Sequence, residues 1–168
     1  MSTNALRRDI YYWKCDRPAA FHGTAQGDAR RPGPETEALV RDLVTRHFGQ
    51  APSALRDGGG QGNHRTFVAT VDRREVFVRL EDGPERDDYI AVESCVMDHV
   101  RALGVPTPRV FGTDATRRDA PFAWQILELI PAPDLNRHLK AGILDVPRAA
   151  AQIGRLIATW QGVRVEGF

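Results

Sequence analysis

The chain is short of cysteine, of long apolar runs and of any excess of charge, and each deficit excludes a class of protein. Its two cysteines, Cys15 and Cys95, cannot form a disulfide framework or a zinc site of four thiolates. No apolar run approaches the ~18 residues of a membrane-spanning helix, so we expect no membrane partner. The 23 basic and 22 acidic side chains leave a net charge of +1, which argues against a nucleic-acid partner.

What is present is the composition of a globular protein. Hydrophobic residues make up 42% and charged residues 27% of the 168 residues, a length that suits one domain with an appendage. The stretch over 1–20 lacks the apolar segment of a secretory signal, so we expect a cytoplasmic protein. Glycine and proline interrupt residues 1–33, which we interpret as an N-terminal extension.

The spacing of apolar residues predicts an α+β fold. Short turns between the predicted strands require antiparallel pairing, so we expect one five-stranded antiparallel sheet covered by the second helix. That helix is expected to direct Tyr89, Val92, Val96, Val100 and Leu103 inward. In chain order, the predicted elements are a helix over 35–48, strands from 54, over 66–71 and over 76–80, a helix over 86–103, strands over 109–113 and 122–129, a short helix capped by Asp134, and a last helix from about 147.

The run GGGQGN over 58–63 lies between two predicted strands. A P-loop or a dinucleotide fingerprint requires a helix directly after the glycines, so this run is neither of them. Backbone N–H groups of a glycine-rich hairpin can still approach a phosphate closely, because no Cβ atoms intervene. A turn that needs glycine only for its backbone angles explains the same run, and the run alone does not decide between the two interpretations.

Two charged residues follow the hairpin at positions where they could act together. Arg79 lies in the otherwise apolar strand over 76–80, and Glu93 lies on the next predicted helix. A strand cation paired with a helix carboxylate could be held against a phosphate. Taken singly, Arg79 could reach solvent from its strand, and Glu93 could belong to a solvated helix face.

A glycine-rich hairpin, a strand cation and a helix acid in this order are typical of the ATP-binding half of a kinase. Together with the segments ALGVPTPRV and PFAWQILELIPAPDL, they make residues 55–168 resemble the aminoglycoside phosphotransferase family, whose kinase-like fold also occurs in choline and fructosamine kinases. The resemblance implies a kinase-like N-terminal lobe over 34–130, followed over 131–168 by a connector and the first helices of a second lobe. It implies ATP as the phosphoryl donor, with GTP as the alternative, and a small hydroxyl-bearing molecule as the acceptor.

The resemblance also assigns roles to individual residues. Arg79 would bind the α- and β-phosphates, with Glu93 as its partner. Leu127 would be the gatekeeper of the adenine pocket, and the Glu128 carbonyl and the Ile130 amide would hydrogen-bond the adenine edge. The residues that would cover the nucleotide are Gly59, Gly60, Gly62 and Asn63.

The sequence departs from the family's pattern at three points. Arg79 stands where the best-studied members have lysine, and the hairpin is one residue longer before Phe67. None of the five histidines is followed two places later by aspartate, so the H-x-D-x-x-x-x-N loop of the family is missing. We therefore expect a truncated chain without catalytic or metal-binding residues of its own, in which magnesium would require the missing lobe. The alternative is a non-catalytic module that binds a nucleotide or a protein.

Overall fold

The computed structural model describes residues 33–59, 64–81 and 88–163, so the predicted extension lies almost wholly outside the described residues. The helices in the described part are α1 (Pro34–Phe48), α2 (Tyr89–Ala102), α3 (Leu135–Lys140) and α4 (Val146–Gln161). The strands are β1 (Ala54–Asp57), β2 (Arg65–Val71), β3 (Arg74–Glu81), β4 (Val110–Asp114) and β5 (Ala123–Glu128).

The strands form one antiparallel sheet in the order β1-β2-β3-β5-β4, which confirms the predicted α+β fold. β3 is the central strand, between β2 and β5. Two residues, Asp72 and Arg73, connect β2 to β3, and their φ angles of 47° and 61° are left-handed. Positive φ at both central residues is what a two-residue hairpin needs to match the twist of its strands. The predicted short turn is therefore present, although neither residue is glycine.

One face of the sheet packs against α1 and forms the apolar core. The helix begins at Pro34, which is suited to a first turn, and ends at Gly49, whose φ is 73°. In β3, alternation directs the buried Val78 toward this core and Arg79 toward the opposite face. The α1 residues buried in the core are Val40, Leu43 and Val44.

The second helix lies against β4 and β5, but its inward face is not the predicted one. Ile90 and Ser94 are buried together with Val100, whereas Val92 and Leu103 are 42% and 48% exposed. The predicted inward orientation of Val92 and Leu103 is therefore wrong. The physical reason is that polar side chains of α2 find partners on the sheet, and these contacts set the rotation of the helix about its axis.

The last two helices are defined by their caps. Asp134 accepts a hydrogen bond from the Arg137 N–H at 2.7 Å, as predicted, and Asp145 accepts one from the Arg148 N–H at 3.0 Å. Neither helix has a buried side chain, and Trp160 of α4 is 52% exposed. Over the described ranges, no helix has the length and apolar content needed to cross a bilayer.

The contact between α1 and β4 yields a stability prediction. A Cβ added to Gly112 would lie 2.5 Å from Cε1 of His47, whose ring also packs edge-on against Trp124. Gly112→Ala should therefore lower the free energy of unfolding by roughly 1–3 kcal/mol, the usual cost of overpacking. Chemical denaturation of the purified chain measures this change.

The control is the same substitution in a chain without the imidazole ring. In the His47→Ala background the space beside Gly112 is open, so Gly112→Ala should cost much less. An equal loss of stability in both backgrounds would show that the ring does not constrain Gly112.

Candidate functional site

The glycine-rich hairpin starts in a closely packed turn after β1. The Gly58 N–H donates to the Thr66 carbonyl at 2.9 Å, and Thr66 Oγ1 donates to the Gly59 carbonyl at 2.7 Å. A Cβ on Gly58 would lie 2.6 Å from Thr66 Oγ1, and Gly59 has a φ of 61°, so both positions favour glycine. The other predicted hairpin ligands, which lie outside the described residues, are Gly60, Gly62 and Asn63.

Arg79 and Glu93 meet beside this turn. Arg79 is the register partner of Thr66 across β2 and β3, and its Nη1 donates to Oε1 of Glu93 at 2.8 Å. The two side chains are 17% and 39% exposed, so the pair is partly shielded from water but remains accessible. The predicted pairing of the strand cation with the helix acid is confirmed, and its nucleotide role stays a prediction.

Gln125 is part of the same network, although it was not among the predicted site residues. Its side chain is fully buried on β5, and Oε1 accepts a second hydrogen bond from Arg79 Nη1 at 3.1 Å. Nε2 donates to Ser94 Oγ at 2.7 Å, and Ser94 Oγ donates to the Ile90 carbonyl at 2.9 Å. A glutamine within the apolar run over 122–129 is the signal that could have identified it, because the same kind of exception pointed to Arg79.

The end of β5 is where the predicted adenine-binding residues lie. Leu127 is 4% exposed and lies two residues from Gln125, on the same face of the sheet. The Glu128 N–H donates to the Arg109 carbonyl at 2.8 Å, and Glu128 Oε2 accepts from the Arg109 N–H at 3.0 Å. Ile130, two residues beyond the strand, is 52% exposed. The strand end is thus fixed to the segment before β4, and Ile130 lies at the surface.

A histidine and a carboxylate are paired on the other limb of the hairpin. His64 Nδ1 and Glu81 Oε2 are 3.2 Å apart, and the two side chains are 16% and 5% exposed. Since Arg65 is the register partner of Leu80, this pair continues the ladder between β2 and β3 by one step. The contact joins the C-terminal limb of the hairpin to the end of β3, and neither residue was predicted to have a role.

The described residues do not fit a metal site. Across the ranges that the structure describes, no three histidine, cysteine, aspartate or glutamate side chains cluster as metal ligands would. The arrangement instead places one oriented cation beside a glycine turn. The described N–H groups of this turn are bonded within the protein, Gly58 to the Thr66 carbonyl and Gly59 to Asp57 Oδ1 at 2.9 Å, so Arg79 is the described group that suits a phosphate.

Comparison with solved structures gives a match to a protein from Ralstonia eutropha JMP134 that is named as a candidate aminoglycoside phosphotransferase. The two chains are 19% identical, with a TM-score of 0.45. The match covers 58% of this chain and 28% of that chain, so this chain spans less than a third of that protein's length. No curated protein matches.

The comparison with protein families gives a match over most of the chain. The model of the phosphotransferase enzyme family matches residues 53–168, more than half of the sequence. The matched range contains the sheet, the glycine-rich hairpin and the Arg79–Glu93 pair. The chain therefore belongs to the phosphotransferase enzyme family.

Proposed function

We propose that this chain is the nucleotide-binding portion of an ATP-dependent phosphotransferase that acts on a small hydroxyl-bearing molecule. The observation that carries the proposal is the 2.8 Å hydrogen bond between Arg79 and Glu93, beside a glycine-rich hairpin in a chain of this family. A guanidinium held by a carboxylate is oriented before the ligand arrives, which reduces the entropy lost on binding.

The phosphate end of the nucleotide would lie between the hairpin and Arg79. Arg79 is the register partner of Thr66, which fixes the base of the hairpin through Gly58 and Gly59. The guanidinium would bind the α- and β-phosphates from one side. The Gly59 N–H already donates to Asp57 Oδ1 at 2.9 Å, so backbone N–H groups of the hairpin residues 60–63 would bind them from the other side.

The adenine end would lie toward the end of β5. Leu127 and Gln125 are two residues apart on one face, a distance of about 7 Å along a strand. Gln125 is the register partner of Arg79. Leu127, the proposed gatekeeper, therefore lies about two residues along the sheet from the Arg79 position. A nucleoside triphosphate can span from there to the hairpin, with its adenine edge on the Glu128 carbonyl and the Ile130 amide.

The transfer step requires groups beyond those described. A carboxylate has to orient or deprotonate the acceptor hydroxyl, and none of the five histidines is followed two places later by aspartate. We assign the N-terminal lobe to residues 34–130 and the connector with the first helices of a second lobe to residues 131–168. The transfer residues and the acceptor site then belong to sequence other than these 168 residues. The same missing motif favours a second candidate function, a module that binds a nucleotide and catalyses no transfer.

The first test concerns nucleotide binding. Arg79→Ala should raise the dissociation constant for ATP by about tenfold or more, because a hydrogen bond to a charged group contributes ~1.5–3 kcal/mol. Titration of the purified chain with a fluorescent ATP analogue measures this effect. Arg73→Ala is the matched control, since Arg73 lies in the exposed β2–β3 turn and should leave the affinity nearly unchanged. An equal loss of ATP affinity in both variants would show that Arg79 has no specific role in binding the phosphates.

The second test asks whether these 168 residues catalyse transfer by themselves, and the coding sequence then separates the two candidate functions. The purified chain, given ATP, magnesium and a panel of hydroxyl-bearing acceptors, should bind nucleotide and release no ADP. Acceptor-dependent ADP release that Arg79→Ala abolishes would place the transfer residues within these 168 residues, against the proposal. If the coding sequence continues into an H-x-D-x-x-x-x-N loop, the transferase is favoured, and a stop codon after Phe168 would favour the binding module.

A further inference from the structure

We propose that Gln125 is a positioning residue that holds the guanidinium of Arg79 so that one of its edges stays free for the phosphates. We further infer that position 79 carries arginine rather than lysine because of this glutamine. The ligand in this inference rests on the proposed function, whereas the positioning of the guanidinium rests only on the contacts between Arg79, Glu93 and Gln125.

The protein uses only some of the hydrogen-bond donors of Arg79. A guanidinium has five N–H groups, and two of them are on Nη1. Arg79 Nη1 donates to Glu93 Oε1 at 2.8 Å and to Gln125 Oε1 at 3.1 Å, so both of its hydrogens are used. Within the described ranges, no hydrogen bond uses Nε or Nη2 of Arg79. These two nitrogens form the edge that can bind two oxygens of one phosphate side by side.

Ser94 determines the orientation of the Gln125 amide. The hydroxyl hydrogen of Ser94 is committed to the Ile90 carbonyl, so Ser94 Oγ can only accept from its other neighbour. Gln125 must therefore direct Nε2 toward Ser94, at 2.7 Å, and Oε1 toward Arg79. A reversed amide would place N–H groups against a cation. The Ile90 carbonyl of α2 thus sets the orientation of the Gln125 amide, whose oxygen in turn orients the Arg79 guanidinium.

Arginine and lysine at position 79 would differ in the donors they leave for a ligand. Gln125 is 0% exposed, so its amide oxygen has no access to water and needs a protein donor. A lysine ammonium could donate to Glu93 and Gln125, but only one N–H would remain, and it would lie on the same nitrogen. Arginine satisfies both acceptors with Nη1 and keeps three N–H groups, one on Nε and two on Nη2, for the ligand. The residue type at 79 and the one at 125 therefore depend on each other.

This dependence predicts a rescue. Arg79→Lys should raise the dissociation constant for ATP about tenfold or more, because the two-nitrogen edge is lost and the ammonium has to satisfy Gln125 as well. Gln125→Leu, with an apolar side chain of similar size, should raise it about three- to tenfold, since Arg79 then has one partner. The double variant should bind ATP more tightly than Arg79→Lys alone, because no buried amide oxygen competes for the ammonium.

The control is the same change at a glutamine that has no such contact. Gln152→Leu on the exposed surface of α4 should leave the dissociation constant unchanged. Titration with a fluorescent ATP analogue measures every variant. Independent effects, in which the double variant binds as weakly as the product of the two single effects, would overturn the inference. Unchanged affinity of Gln125→Leu, with a large loss in Arg79→Ala, would overturn it too and leave the proposed function intact.

A second readout needs no nucleotide. In the wild-type chain the Nη1 hydrogens of Arg79 should give separate, exchange-protected ¹⁵N–¹H signals, and these signals should broaden or vanish in Gln125→Leu. If the wild-type chain binds no ATP, the proposed function fails, while protected signals would still support the positioning role. Should Gln125→Leu not fold, Ser94→Ala releases the amide without altering Arg79 or Gln125, and it should broaden the same signals. Sharp signals in the Ser94→Ala variant would contradict the role of the amide.

Discussion

The site depends on one constraint, which is that a partly buried guanidinium on the central strand needs a carboxylate and a further acceptor close to it. Arg79 meets this requirement with Glu93 from α2 and Gln125 from β5, so one cation joins three elements. Burying a charge without partners is costly, and leaving Gln125 without a donor would be costly as well. The contacts therefore hold α2 in one rotation against the sheet, with Ser94 inward and Val92 outward.

The two faces of the sheet differ in character: one packs into the apolar core, and the other carries the polar contacts of Arg79. Toward α1 the strands present an apolar core in which Val78 is fully buried. Toward α2, the next residue of the same strand is Arg79, and its register partner is Gln125. Alternation along β3 thus places the core and the candidate phosphate clamp back to back.

The sequence was sufficient for the sheet and for the Arg79–Glu93 pair, because alternation, short turns and motif order are local signals. It was not sufficient for the rotation of α2. Apolar spacing favoured Val92 as an inward residue, and nothing near it in the sequence indicates that Ser94 has a partner 31 residues away. Gln125 was missed for the same reason, since its contact with Arg79 spans 46 residues. In the sequence, the only sign of such a long-range polar contact is one polar residue within an otherwise apolar strand.

The contacts that orient Arg79 do not involve the last two helices. α3 and α4 begin at the caps of Asp134 and Asp145, and no side chain of either helix is buried, so local contacts define them. The residues that orient Arg79 lie on β5 and α2, and the hairpin base is fixed by Thr66 of β2. The orientation of the cation is therefore set within the sheet and its covering helix. If Arg79 binds the phosphates as proposed, that binding needs no side chain of α3 or α4 and is physically separable from transfer to an acceptor.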